Sequence, residues 1–152
     1  MAPILIVGIG NILLRDEGVG VRVIESLRRQ RLPAGVEIVD GGTSGADLID
    51  YIADRRKLIV VDAVKSGQAA GTVLRFSDQE LIARSEGMIS LHEFGLVETL
   101  LAVRQLGCAP QRVVIYGIEP ADTGCGLELS AEVAAVVPRV VDLVVQEAVA
   151  GV

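Results

Sequence analysis

The sequence predicts an α/β three-layer sandwich: a five-stranded, mostly parallel twisted sheet carrying one antiparallel edge strand, with helices on both faces. Near-continuous β-branched apolar runs recur at 4–7, 36–39, 58–61 and 113–116, as expected of parallel strands buried on both sides. Longer stretches of helical periodicity lie between or after several of them, and that alternation places helices over a sheet. With two Phe, two Tyr and no Trp, the core is aliphatic.

The first helix is expected at about 18–29, because Val19, Val23 and Leu27, with Ile24 beside them, form one apolar stripe that excludes Glu25 and Arg28. It links two parallel strands by a right-handed crossover. A shorter helix at about 46–52 does the same for the second and third strands. Residues 64–71 are too few for a helical crossover, so the strand at about 72–76 returns antiparallel at an edge. Ser77 with Glu80, and Ser90 with Glu93, have capping-box spacing, so helices are expected to start after each serine. The second runs to about Leu106, ends at Gly107 and carries His92 in its first turn. A last helix at about 130–149 contains Pro138, which predicts a kink or break.

With 152 residues, 51% of them hydrophobic, the chain is expected to form a single domain over 1–152. No apolar run reaches about 18 residues, and the start PILIV lacks the features of a signal peptide. A soluble, cytoplasmic protein with no membrane partner is expected. A net charge of -6 with dispersed basic residues, apart from short clusters at Arg28, Arg29 and Arg31 and at Arg55, Arg56 and Lys57, argues against nucleic acid. Cys108 and Cys125 form no CxxC pair and read as reduced thiols without a role.

Ligands of open α/β sheets sit beyond the carboxyl ends of the strands, where neighbouring connections diverge. The glycine-bearing loop after the first strand delivers Asp16 and Glu17 just before a helix. Asp62 follows the buried run LIVV directly, so a carboxylate stands at the lip of the third strand, where neither packing nor a turn requires a charge. If the second and third strands flank the first, Glu17 and Asp62 border the crevice between strands one and three. His92 is the chain's one histidine, and two carboxylates plus an imidazole leave open positions on a borderline metal ion. Singly, each residue also fits a structural role: Asp16 or Glu17 at a helix N-terminus, Asp62 capping a turn, His92 on the surface.

Four motifs carry a resemblance: GxGNxLLxDEGxG at 8–20, DGGTxG at 40–45, VDAV at 61–64 and HxxGL at 92–96. Over essentially its whole length the sequence resembles the nickel-iron hydrogenase maturation endopeptidases. That resemblance implies an α/β sandwich with a five-stranded sheet, and Glu17, Asp62 and His92 as metal ligands. It also implies the substrate, a precursor of the hydrogenase large subunit whose C-terminal extension is removed once nickel is loaded. Nickel would arrive with the substrate rather than reside in the enzyme, and a monomer is expected. The nickel could polarise a carbonyl or activate water, or only fix register while a carboxylate acts as general base. Asp16 and Asp40 are the candidates for that base. Asp40 also reads as orienting a peptide group, beside glycines that admit the substrate tail. Two alternatives stand beside this one. A non-catalytic nickel-site chaperone would use the same triad. A dinucleotide-binding oxidoreductase is suggested by GIG and Asp40, but Leu13 occupies the third glycine position of its fingerprint.

Overall fold

The computed structural model describes residues 2–43, 46–83, 89–90 and 93–150. The expected strands form as β1 (Ile4–Ile9), β2 (Val36–Gly42), β3 (Lys57–Lys65), β4 (Val73–Ser77) and β6 (Arg112–Ile118), joined by a two-residue β5 (Ile89–Ser90). Their order is β2-β1-β3-β6-β4. Strands β2, β1, β3 and β6 pair in parallel, and β4 returns antiparallel along β6 at the edge. Strand β5 lies antiparallel to the end of β3, with Ser90 opposite Val64.

Period-two alternation then separates two cores. Leu5, Val7, Leu58, Val60 and Ile115 face one way, and Ile4, Ile6, Ile59, Val61 and Val114 the other. The first face is covered by α2 (Ile49–Ile52), α3 (Asp78–Ala83) and α4 (Glu93–Gln105), the second by α1 (Val19–Leu27) and α5 (Ala131–Val149). The central strand β3 is buried at every position from Lys57 to Val64. Its sequence is accordingly an apolar run rather than an alternation.

Local chemistry sets the helix ends. Ser77 and Glu80 form the reciprocal box, with Ser77 Oγ accepting from Glu80 N at 3.1 Å and Glu80 Oε1 accepting from Ser77 N at 3.2 Å. At the end of α4, Cys108 N donates to Val103 O and Gly107 N to Arg104 O, the paired bonds of a Schellman cap. Two boundaries differ from expectation. A 3-10 turn, Arg15–Gly18, precedes α1, and another, Ala46–Leu48, precedes α2. Helix α5 runs through Pro138 without a break. Proline removes one bond, while Val133 before it and Val140, Val141 and Val144 after it stay packed on the same core.

The basic cluster at 55–57 is largely interior. Lys57 is fully buried, and its ammonium donates to Glu147 Oε2 at 2.7 Å and to Glu147 O at 2.8 Å. Arg75 Nε and the Tyr116 hydroxyl both donate to Glu147 Oε1 at 2.8 Å. Burial pushes the Glu147 carboxyl up, but hydrogen bonds from Arg75, Lys57 and Tyr116 outweigh it and bring its pKa from 4.5 down to about 2. A depressed carboxyl stabilises the fold above its unfolded pKa and loses that contribution as pH falls through its folded one. Glu147→Gln should therefore cost roughly 3 kcal/mol in urea unfolding at pH 7, because it strands the buried Lys57 charge. The part due to Glu147 ionisation should fade between pH 4.5 and about 2. A variant as stable as the parent at pH 7 would remove this network from the fold's support.

Candidate functional site

Strand β3 outruns β1. Their pairing stops at Gly8 opposite Val61, whereas β3 continues beside β6 with Asp62 opposite Gly117 and Ala63 opposite Ile118. Asp62 is thus the first β3 residue past the last β1–β3 pair, level with Ile9 as β1 ends, at the point where β2 and β3 flank β1 and the connections part. It lies inside the strand rather than after it, is 1% exposed, and accepts from Ala63 N at 2.8 Å through Oδ1. Alternation between Val60 and Val64 puts its side chain on the face that α4 covers. A charge so placed needs polar company.

Glu17 arrives from the other side of the crevice. It sits half-buried on the 3-10 turn before α1, and that turn packs against β3. Glycines permit this approach. A Cβ on Gly10, whose φ is +151°, would meet Glu17 O at 2.1 Å, and one on Gly20 would meet Val61 O at 2.3 Å. Glu17 and Asp62 are therefore gathered at one end of the sheet across the β1/β3 boundary. His92 lies outside the described residues, as do Ser44 and Gly45 of the 40–45 motif. The backbone on either side of 91–92 is described: Ser90 pairs with Val64, two residues beyond Asp62, and α4 opens at Glu93. Among the described residues no group of three His, Cys, Asp or Glu side chains is spaced to hold a metal ion.

Asp16 does not face the crevice as a free base. It is fully buried, and its oxygens accept from Ala121 N at 2.8 Å, Asp122 N at 2.9 Å, Ser130 N at 2.7 Å and Ser130 Oγ at 2.7 Å. Burial raises its pKa, but the hydrogen bonds from Asp122, Ser130 and Ala121 prevail and hold it below the ordinary carboxylate value. With both oxygens engaged, this carboxylate anchors a loop and is not poised to take a proton from substrate. Asp16 thus serves as a structural anchor in place of the general base expected from the sequence. The anchored loop, 121–130, carries no recognisable motif, yet it braces the segment that leads to Glu17. Gly126 N donates to Leu13 O, Arg15 N to Gly126 O and Asp16 N to Asp122 O. Arg15 is thereby held at φ +49°, with Nε 3.3 Å from Asp122 Oδ2 in an ion pair lacking hydrogen-bond alignment.

Asp40 behaves differently. A register shift opposes Gly8 to Asp40 and Ile9 to Gly42, leaving Gly41 as the bulged residue. Such bulges re-aim side chains. Asp40 is exposed, with Oδ1 accepting from Gly42 N at 2.9 Å, and it lines a cavity with Gly10, Ile12 and Leu13. Nothing in this loop resembles a pyrophosphate cradle. Strand β1 ends at Ile9 and α1 begins only at Val19, so no helix N-terminus stands directly behind the glycines. Cys108 and Cys125 are free thiols.

A family model described as hydrogenase maturation protease matches residues 21–147. The chain is 44% identical over 119 residues to the hydrogenase 2 maturation protease of Escherichia coli strain K12, covering 77% of this chain and 73% of that protein. It is 37% identical to the hydrogenase expression/formation protein HupD of Rhizobium leguminosarum bv. viciae, over 94% of this chain and 72% of that one. Other relatives are longer, and the chain spans 55% to 63% of their length. The structure superposes on the hydrogenase maturating endopeptidase HybD from E. coli with a TM-score of 0.86 at 38% identity, covering 93% of this chain and 88% of that one.

The Asp16 clasp is directly testable. Asp16→Ala leaves buried amides without an acceptor and should cost roughly 3 kcal/mol in chemical denaturation. Amide exchange at Ala121, Asp122 and Ser130 should rise well above that of β3. Unchanged exchange at those three amides would show that the loop holds without the carboxylate.

Proposed function

This chain belongs to the hydrogenase maturation protease family, whose members are endopeptidases, and we propose that it removes the C-terminal extension of a nickel-loaded hydrogenase large-subunit precursor. The observation that carries this reading is the buried Asp62 carboxylate at the first β3 position beyond the last β1–β3 pair, with the Glu17 turn packed against the same strand. The nickel belongs to the substrate. Two carboxylates and one imidazole make a poor permanent site for that ion, and ligands from the precursor complete a better one. Glu17 and Asp62 supply the hard donors. His92 supplies the third, a role that the HxxGL motif at 92–96 supports.

On this reading the enzyme acts as a monomer in the cytoplasm. No helix among the described residues is long and apolar enough to cross a membrane. Gripping the nickel brings the adjoining chain of the precursor to the mouth of the crevice. With Asp16 committed to the loop, Asp40 is the carboxylate that remains to handle a proton or orient the peptide group at the bond that is cut.

Mass spectrometry of the precursor before and after mixing separates the alternatives. Loss of a C-terminal peptide from the nickel-loaded form alone is the expected result. Equal cleavage of loaded and metal-free forms would defeat nickel recognition, and binding without any change of mass would favour a chaperone. Glu17→Gln, Asp62→Asn and His92→Ala should each reduce processing at least 100-fold with little change in thermal unfolding. Normal processing by Asp62→Asn would sink the assignment of the triad.

A further inference from the structure

Between the loop that follows β1 and the end of β2 lies a cavity of about 450 Å³. Gly10, Ile12, Leu13 and Val21 form its apolar wall, and the exposed Asp40 and Thr43 stand beside them. Its volume falls within the range of roughly 300–1,000 Å³ typical of small recognition pockets.

The wall is already fastened in place. Gly10 N donates to Gly42 O at 2.8 Å and Leu14 N to Asn11 O at 3.1 Å. Leu13 N donates to Asn11 Oδ1 at 3.0 Å, while Leu13 O accepts from Gly126 N at 2.9 Å. Leu13 is thus held by hydrogen bonds at both its backbone groups, yet it remains 60% exposed. A leucine fixed in that position contributes little to its own core and offers apolar surface to something else. The cavity also adjoins the crevice, because Gly10 in its wall is the residue on which the Glu17 backbone rests.

We infer that this cavity is the subsite for an aliphatic side chain of the precursor's extended C-terminal segment, one residue of which it takes beside the bond that is cut. The inference rests on the processing reading above and gives it a specificity element. An extended chain leaving the nickel at Glu17 and Asp62 meets Gly10 next. There the missing side chain allows close approach, and the aliphatic wall and the Asp40 carboxylate then flank the segment. Ile12, Leu13 and Val21 favour an apolar side chain over an acidic one, which would lose its hydration against them and meet the like charge of Asp40.

The test is steady-state processing of nickel-loaded precursors in which each residue flanking the cleaved bond is replaced in turn by Asp. One position should lose at least 10-fold in kcat/KM with the parent enzyme. Leu13→Asp should raise KM for the parent precursor at least 10-fold with a smaller change in kcat. Leu13→Lys should restore the Asp-substituted precursor above the parent one, a reversal that a merely structural leucine would not produce. Thermal unfolding of each variant checks the fold, and if Leu13→Asp is destabilised, Thr43→Trp, which fills the cavity from an exposed position, should raise KM in its place. A parent enzyme that leaves the loaded precursor intact would overturn the processing reading and this subsite with it. A parent enzyme that processes normally, alongside Leu13 and Thr43 variants with unchanged KM and no reversal, would overturn the subsite alone.

Discussion

The carboxylate of Asp16 joins two loops that the sheet by itself would leave independent. Its oxygens accept four hydrogen bonds from the loop at 121–130, and its neighbours Leu13 and Arg15 exchange backbone bonds with Gly126. Because Glu17 is the next residue, the clasp fixes the position from which Glu17 meets β3. The same bonds hold Leu13 against the cavity. Placing an ionised carboxylate in the interior is costly unless its lone pairs are satisfied, and here a donor set drawn from the far end of the chain satisfies them. Ser130, one of those donors, is also the cap of α5, so the site's first loop and the last helix share a single anchor.

The sheet contributes a constraint of another kind. A parallel strand that outruns its neighbour exposes one side of its backbone and the side chains beyond the last pair. Strand β3 does this at Asp62, against β1 on one flank while β6 continues on the other. The carboxylate is consequently held by a strand buried along nearly its whole length, which suits the fixed geometry that its proposed role as a metal ligand requires. Asp40 is placed by a bulge at the end of an edge strand and remains open to solvent. This end of the sheet thus carries one rigid carboxylate, one on a clasped turn, and one exposed at the adjoining cavity.

Much of this was legible in the sequence because it depends on local pattern. The apolar runs of β1, β3 and β6 announce strands buried on both faces, the short 64–71 link forces β4 to return antiparallel, and Ser77 with Glu80 forms the cap its spacing implies. The position of Asp62 was legible for the same reason, as a charge ending an apolar run, although the strand continues past it because β6 keeps pairing. Long-range chemistry was not legible. Asp16 read as a candidate base because its partners lie more than a hundred positions away, at 121–130. Lys57 read only as part of a short basic cluster, because Glu147, which neutralises it, sits on the last helix. Pro138 suggested a kink or a break, and the break does not occur, because apolar contacts on both sides keep α5 whole. The two residues of β5 are too few to form a pattern.

The central claim is that Glu17 and Asp62 donate to one nickel ion carried by the precursor. Nickel-edge X-ray absorption of the loaded precursor, alone and saturated with a slow-processing Asp40→Asn variant, tests it most directly. Added oxygen or nitrogen scattering at ligand distance in the complex, lost when Glu17→Gln and Asp62→Asn are combined with that variant, is the result this account predicts. A nickel spectrum that does not change on complex formation would contradict it.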